Sequence, residues 1–252
     1  MKSTLTHHLK RFFSKTLDNL LTKTSPDGVH YIWKRRKSST LVIVFTGIGN
    51  LRYNYKSSLW QSPHDLLFIA DDWAGGVSYY WFEDKSNHPE RFTQDLIDHV
   101  LAKGKYTSVV TLGSSKGGTA ALYYGFKINA NQILAGACQY LVGDYLSRYQ
   151  WEEHPEQWRA VVGEEPNQEW IDILDHKLPD MIKARQGSKT RVFLLYSPDE
   201  HTYPEHVKPL IEQLDACGIA HEDQVEHFPN HDMVGFYFRE AIKVRLTKQY
   251  PQ

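Results

Sequence analysis

The sequence is poor in the residues that organise secreted, zinc-binding or membrane-spanning proteins. Its 252 residues include two cysteines, Cys138 and Cys217, which lie far apart and form no C-x-x-C pair. We therefore expect neither a disulfide framework nor a cysteine-bound zinc ion. The two cysteines are expected to be free thiols in a reducing compartment. No stretch approaches the ~20 apolar residues of a membrane-spanning helix, and the basic N-terminus has no signal-peptide core. These absences predict a cytoplasmic protein without a transmembrane segment.

An excess of charge of either sign is also missing. Lysine and arginine total 29 and aspartate and glutamate total 30, for a net charge of −1. Such a balance leaves no electrostatic footprint for nucleic acid or an anionic membrane. The H-E-x-x-H metal motif is absent, and the His227-x-x-x-His231 spacing suits a loop better than a helix face. We therefore expect neither nucleic acid nor a resident metal ion among the ligands.

What the chain does contain is an alternation of short apolar runs with helix-forming stretches. Strand-like runs lie at 29–34, 41–45, 66–70, 108–112, 132–137, 191–196 and 222–228, and helices are expected at 90–102, 119–124, 204–217 and 233–246. The first two runs are interpreted as a hairpin, and the aromatic run 77–82 as an edge strand or a loop. The alternation predicts one α/β domain over residues 1–252, with a mainly parallel sheet between helices.

Two segments depart from this alternation. Residues 144–189 carry tryptophans and many acidic residues but no convincing strand, which indicates a helical lid or cap inserted over the sheet. The first ~25 residues are basic and place apolar side chains in helical phase, which predicts an amphipathic helix packed on the domain rather than a membrane-surface anchor. Those apolar residues are Leu5, Leu9, Phe12, Phe13 and Leu17.

One pentapeptide carries the strongest chemical signal, Gly113-Ser114-Ser115-Lys116-Gly117. A strand-like run precedes it and a small-residue helical run follows, which is the setting of the G-x-S-x-G nucleophile elbow. The alternatives are a plain glycine-rich turn and a phosphate-binding loop, but the latter needs a hydroxyl residue directly after its lysine. We therefore predict that Ser115 is a nucleophile that forms an acyl-serine.

A serine nucleophile needs a histidine base, which is in turn oriented by a carboxylate. In a sheet of this kind the order along the chain is serine, acid and histidine, each on a loop after a strand. Asp199 and Glu200 follow the run 191–196, and His231 follows the run 222–228. His231 is thus the predicted base, while the local sequence leaves both carboxylates open as the acid.

The other histidines are assigned structural or surface positions. His227 is expected inside the last strand, and His201, Glu205 and His206 on the surface of the next helix. The predicted oxyanion hole needs two backbone N–H groups. Lys116 supplies one of them, and Ile48, in the glycine turn after the run 41–45, supplies the other unless that turn is an ordinary one.

Several segments together resemble the bacterial α/β-hydrolase-fold family of capsular polysaccharide biosynthesis proteins, which includes capsule O-acetyltransferases. The chain is also similar to the acetyltransferase-like component of the accessory secretion system for serine-rich adhesins. The segments span about residues 40–240 and are FTGIGNLRYNY, LFIADDWAGGVSYYW, GSSKGGTAALYYG, ACQYLVGDYL, SPDEHTYPEH and NHDMVGFYF.

The resemblance implies an α/β-hydrolase fold with Ser115 as nucleophile, His231 as base and Glu200, in preference to Asp199, as acid. It also implies acetyl-CoA as a donor substrate rather than a bound cofactor, and a sugar hydroxyl of a capsular polysaccharide as acceptor. Peripheral association with capsule assembly machinery follows as well. Residues 144–189 match the family least, so the acceptor sugar is not inherited.

Three functions follow from these residues. The first is an O-acetyltransferase and the second a carbohydrate esterase or deacetylase, which share an acyl-serine intermediate and differ in whether a sugar hydroxyl or water attacks it. The third is a non-catalytic assembly factor in capsule export, against which the predicted Ser115, Glu200 and His231 argue.

Overall fold

The computed structural model describes residues 18–49 and 52–247 as an eight-stranded sheet covered by helices. The strands are β1 (Lys23–Thr24), β2 (His30–Lys34), β3 (Thr40–Phe45), β4 (Asp65–Ile69), β5 (Ser108–Ser114), β6 (Gln132–Gly136), β7 (Arg191–Tyr196) and β8 (His221–Val225). The helices are α1 (Lys56–Leu59), α2 (His88–Lys103), α3 (Lys116–Lys127), α4 (Val142–Asp144), α5 (Pro155–Val162), α6 (Gln168–Lys183), α7 (Lys208–Ala216) and α8 (Val234–Thr247). Short 3₁₀ turns lie at Ala74–Gly76 and His231–Met233, and π-helical turns at Tyr145–Tyr149 and Tyr203–Val207.

The strand order in the sheet is β1-β2-β4-β3-β5-β6-β7-β8, and the strands from β4 to β8 are parallel. Alternate residues of the central strands enter two separate cores, because successive side chains of a strand point to opposite faces. Ile43 packs in the core that contains α2, α3 and α6, whereas Val44 packs in the core that contains α8. The predicted parallel sheet between helices is confirmed.

The predicted hairpin between the first two long strands is wrong. β4 lies between them, antiparallel to β2 and parallel to β3. The buried Asp65 side chain, at the start of β4, accepts backbone N–H groups of Arg36 at 2.6 Å and Ser38 at 3.1 Å. These bonds hold the chain as it crosses the N-terminal end of β4, so the charged turn is a crossover. The aromatic run 77–82 is a loop with buried rings.

The two exceptional segments have different outcomes. Most of the predicted N-terminal helix lies outside the described residues, and its described end, residues 18–21, is helical. Residues 144–189 contain α5 and α6 and no strand, and Trp158 is fully buried in the core. Their role as a lid stays a prediction. Within residues 18–49 and 52–247, no helix is long and apolar enough to span a membrane.

A largely buried carboxylate, 13% exposed, ties three helices together. Glu90 of α2 accepts from Lys127 Nζ at 2.6 Å, from Lys177 Nζ at 2.5 Å and from Tyr123 Oη at 2.5 Å. Burial opposes ionisation of Glu90, but the charges and hydrogen bonds of the two lysines outweigh it and lower the pKa to about 2. α6 is thereby fastened to α2 and α3, and the attachment depends on an ionised carboxylate.

We expect Glu90→Gln to remove a pH-dependent part of the stability. A carboxyl group whose pKa is lower in the folded state stabilises the fold at pH values above its pKa in the unfolded state. This stabilisation is lost as the pH falls from about 4.5 towards 2. The stability difference between parent and Glu90→Gln should therefore narrow by about 1 kcal/mol between pH 7 and pH 3.5. Urea unfolding at both pH values measures it. Glu164→Gln, at an exposed carboxylate paired with Lys85, is the control, and its stability difference should change less with pH because solvent screens an exposed pair. A flat profile for Glu90→Gln contradicts the prediction.

Candidate active site

The predicted nucleophile lies in a strained turn between β5 and α3. Ser115 has φ 53° and ψ −131°, an uncommon conformation for a residue with a side chain. Its N–H donates to Gly136 O at 2.7 Å, and its carbonyl accepts from Gly118 N at 2.8 Å. Between residues 110 and 126 it alone is not buried. The turn therefore presents the Ser115 hydroxyl at the carboxyl edge of the sheet.

Two glycines make this turn sterically possible. A Cβ atom on Gly113 would lie 2.2 Å from Gly117 O, and one on Gly117 would lie 2.6 Å from Phe45 O. Both are backbone atoms that no side-chain movement can relieve. The first and last glycines of the pentapeptide are thus required by the crossing of α3 over β5 and β3.

The structure brings three of the predicted side chains into one hydrogen-bonded chain. His231 Nε2 lies 2.9 Å from Ser115 Oγ, and His231 Nδ1 lies 2.9 Å from Glu200 Oε2. His231 opens the 3₁₀ turn after β8, where the side chain of Asn230 accepts the N–H of Asp232 at 3.0 Å. The serine, the imidazole and the carboxylate come from loops after β5, β8 and β7.

Glu200 is held as an ionised, buried acceptor. It is 3% exposed, and Thr202 Oγ1 donates to its second oxygen. Burial raises the pKa of this carboxyl, but the hydrogen bond and charge of His231, with the Thr202 hydroxyl, outweigh burial and lower the pKa below its ordinary value. A carboxylate that stays ionised can orient and stabilise a protonated imidazole.

The neighbouring carboxylate points elsewhere. Asp199 Oδ2 lies 2.8 Å from His227 Nδ1, and the two side chains are 51% and 73% exposed. β8 ends at Val225, so His227 lies on the following loop, and the prediction that placed it inside the strand is wrong. Asp199 and His227 form a separate surface pair, whereas Glu200 contacts His231.

Gln139 is a neighbour of the nucleophile that the motifs did not single out. Its Nε2 donates to Ser115 Oγ at 3.3 Å, and its Oε1 accepts from the Tyr79 hydroxyl at 3.4 Å. Gln139 follows β6 and is fully buried. Its place after a parallel strand is the signal that could have identified it, because such strand ends share one sheet edge.

The prediction that His206 is a surface residue is wrong. It is 1% exposed, and burial lowers its pKa to about 4. It belongs to the π-helical turn Tyr203–Val207, which directs the ring inward against Tyr145. His201 is half-buried, with its ring stacked on Tyr149 at 4.2 Å and 5.4 Å from the His231 ring.

Two groups in the described ranges have metal-ligand spacing. The first contains Glu200, His201 and His231, two of which already belong to the hydrogen-bonded series Ser115–His231–Glu200. The second contains Asp144, Glu205 and His206, but Arg148 already pairs with both carboxylates, at 2.9 and 3.1 Å. The Arg148 guanidinium already neutralises the two carboxylates of that second group, which favours a set of ion pairs over a cation site.

The loop after β3 lies against the turn of the nucleophile. A Cβ atom on Gly47 would lie 3.1 Å from Ser114 O, and Thr46 N donates to the Tyr80 hydroxyl at 2.8 Å. Ile48 is 40% exposed at this edge, and Lys116 begins α3. The roles of the Ile48 and Lys116 N–H groups as oxyanion donors stay a prediction.

The fold is that of the α/β-hydrolases, as predicted. Solved structures with this fold are similar to most of this chain. No family model and no curated protein matches the sequence. The capsule O-acetyltransferase of Neisseria meningitidis serogroup A is similar over 90% of this chain and 94% of its own, at 19% identity and a TM-score of 0.72. A histidine variant of that enzyme, solved with CoA, is similar with a TM-score of 0.70 at 18% identity.

Two further structures represent a protein complex and a hydrolase. The glycosylation-associated protein complex of Streptococcus agalactiae is similar over 91% of this chain and 46% of its own, at 17% identity and a TM-score of 0.73. A fluorophosphonate-binding serine hydrolase of Staphylococcus aureus is similar over 90% and 95%, at 13% identity and a TM-score of 0.66. At such identities the likeness establishes the fold, and function must be argued from the site.

Proposed function

We propose that this protein is a serine O-acetyltransferase that moves an acetyl group from acetyl-CoA to a sugar hydroxyl of a capsular or surface polysaccharide. The observation that carries the proposal is the 2.9 Å contact between Ser115 Oγ and His231 Nε2. The other ring nitrogen of His231 contacts Glu200. A hydroxyl on a strained turn, a base at hydrogen-bond distance and a buried acid are the parts that acyl-serine chemistry requires.

The first half of the reaction transfers the acetyl group to the protein. His231 Nε2 accepts the Ser115 proton as Oγ attacks the thioester carbonyl, and the carbonyl oxygen becomes an oxyanion facing the N–H groups of Ile48 and Lys116. The carbon–sulfur bond then breaks, and His231 returns the proton to the leaving CoA sulfur. Glu200 stabilises the imidazolium formed between these steps.

The second half transfers the acetyl group to the acceptor. The sugar hydroxyl gives its proton to His231 as its oxygen attacks the acetyl-Ser115 carbonyl. Collapse of the second oxyanion breaks the bond to Oγ, and His231 reprotonates the serine. Gln139 Nε2, which donates to Oγ in the free protein, stabilises the negative charge on that departing oxygen.

Transfer rather than hydrolysis is supported by the likeness to capsule O-acetyltransferase structures, one of which holds CoA. We propose that residues 144–189 act as a lid that binds the acceptor and keeps water out, since transfer needs a positioned hydroxyl. We also propose that residues 1–252 form a single domain. We place the protein in the cytoplasm, associated peripherally with the proteins that assemble the capsule.

Hydrolysis is the second candidate, because a serine hydrolase with the same fold is also similar to this chain. One assay separates the two. The protein is incubated with acetyl-labelled acetyl-CoA and de-O-acetylated capsular polysaccharide, and, in parallel, with O-acetylated polysaccharide alone. Label in the polysaccharide supports transfer, and acetate release from the acetylated polymer without transfer supports an esterase. If neither product forms and no acetyl-Ser115 accumulates, the protein is an assembly factor and the proposal is wrong.

A further inference from the structure

A fully buried ion pair lies beside the proposed nucleophile and takes no part in the mechanism above. Lys116, the residue after Ser115, donates from Nζ to Asp71 Oδ2 at 2.5 Å, and the two side chains are 0% and 1% exposed. The other oxygen of Asp71 accepts from Ser78 Oγ at 2.5 Å, and the ammonium group lies 4.8 Å from the centre of the Tyr80 ring. The charge is therefore surrounded by a carboxylate and an aromatic face instead of water.

Stability does not account for this pair. Burial removes water from both charges, and their attraction commonly returns no more than that cost, so apolar side chains of similar size serve a core as well or better. The informative property is the position of each partner. Lys116 is the residue whose backbone N–H is a proposed oxyanion donor, and Asp71 lies just after the carboxyl end of β4.

The same cluster holds the loop that carries the second proposed donor. The Tyr80 hydroxyl accepts from Thr46 N at 2.8 Å and donates to Ile69 O at 2.9 Å. Ile48 lies two residues beyond Thr46, and a Cβ atom on Gly117 would lie 3.1 Å from Gly47 N. The Lys116 ammonium packs on the ring of Tyr80, so the turn at Ser115 and the loop after β3 are both fastened to the end of β4.

We propose that Lys116 and Asp71 are positioning residues that hold the two backbone donors of the oxyanion hole at a fixed separation. The inference rests on the proposed acyl-Ser115 chemistry. An oxyanion is stabilised only by donors already within about 2.7–3.1 Å of it, and a displacement of about 1 Å costs roughly 100-fold in rate. The side chains act through the backbone and do not touch the reacting atoms.

The test neutralises both partners at once, because removing one alone leaves an unpaired buried charge that disturbs folding. In Lys116→Met/Asp71→Asn, the new amide still offers an oxygen to Ser78. Lys56→Met/Asp18→Asn is the matched control, since it makes the same two kinds of substitution in another ion pair, between α1 and residue 18, whose side chains are at most 15% exposed. Hydrolysis of p-nitrophenyl acetate reports acyl-Ser115 formation without any acceptor, and thermal unfolding reports stability.

We expect both double variants to unfold within a few degrees of the parent, and only Lys116→Met/Asp71→Asn to lose activity. Its kcat should fall about 100-fold with little change in KM, as expected when donors to the transition state move. Its affinity for a trifluoromethyl ketone, which forms a tetrahedral oxyanion on serine, should fall in parallel. A kcat within threefold of the parent overturns the inference, because the pair would then be structural only.

A second variant covers the case in which the double variant does not fold. Tyr80→Phe keeps the ring beside Lys116 and removes the hydroxyl that holds Thr46 N, and we expect kcat to fall about tenfold at constant KM. A parent-like kcat in this folded variant would likewise contradict the inference. Activity that persists in Ser115→Ala would instead overturn the proposed function, so the two failures are distinguishable.

Discussion

The Ser115→Ala variant should lose acetyl transfer by about 10⁶-fold while it remains folded. The Ser115 hydroxyl oxygen is the atom to which the acetyl group is expected to bind. It lies 2.9 Å from His231 Nε2, and the described residues place no other hydroxyl at that distance from this nitrogen. Alanine keeps the Cβ atom and the turn, so the backbone changes little. The measurement is the initial rate of acetyl transfer from acetyl-CoA, together with the intact mass of the protein after exposure to the donor without acceptor.

The mass spectrum supplies the control for this prediction. The parent protein should gain one acetyl group that peptide mapping assigns to Ser115, and Ser115→Ala should gain none. Ser114→Ala is the matched variant, because its hydroxyl contacts the buried Tyr55 Oη at 2.5 Å instead of His231. It should still be acetylated at Ser115. An acetyl group on another residue, or undiminished transfer by Ser115→Ala, refutes the nucleophile assignment.

The second large effect concerns the acid. Glu200→Gln should lower kcat about 10⁴-fold, because an amide cannot stabilise the imidazolium and permits the wrong tautomer of His231. Asp199→Asn changes the adjacent carboxylate in the same way, yet it should leave kcat within threefold, since Asp199 contacts the exposed His227. The lowered pKa of Glu200 keeps the parent carboxylate ionised at neutral pH, so pH 7 is a suitable condition for the comparison.

The ranking of the two amides decides the assignment. A greater loss in Asp199→Asn than in Glu200→Gln would overturn the assignment of Glu200 as the acid. Circular dichroism of both variants controls for unfolding, which is needed because Glu200 is buried and Asp199 is half-exposed. Equal and small losses in both variants would remove the carboxylate from the mechanism.

Much of the fold could be predicted because its signals are local. Each of the seven predicted strand runs overlaps an observed strand, and the strand–turn–helix at Ser115 lies where the glycines and apolar runs placed it. Pairing between strands depends on contacts distant in sequence, and this is where prediction failed. The crossover at Arg36 looks like a hairpin turn until the buried Asp65 side chain, which arrives with β4, is known.

The sequence by itself determined that Ser115, His231 and one of two adjacent carboxylates meet at the site, and tertiary structure decided which carboxylate is used and that Gln139 joins them. Ser115, Glu200 and His231 each follow a strand of one parallel sheet, and the carboxyl ends of such strands share an edge. The choice between Asp199 and Glu200 depends on the direction in which a side chain leaves the backbone, which adjacent positions in the sequence do not encode. The burial of Lys116 against Asp71 was hidden for a similar reason. A lysine in a glycine-rich turn is typical of an exposed turn, and its buried partner, Asp71, lies on the loop after β4, far away in the sequence.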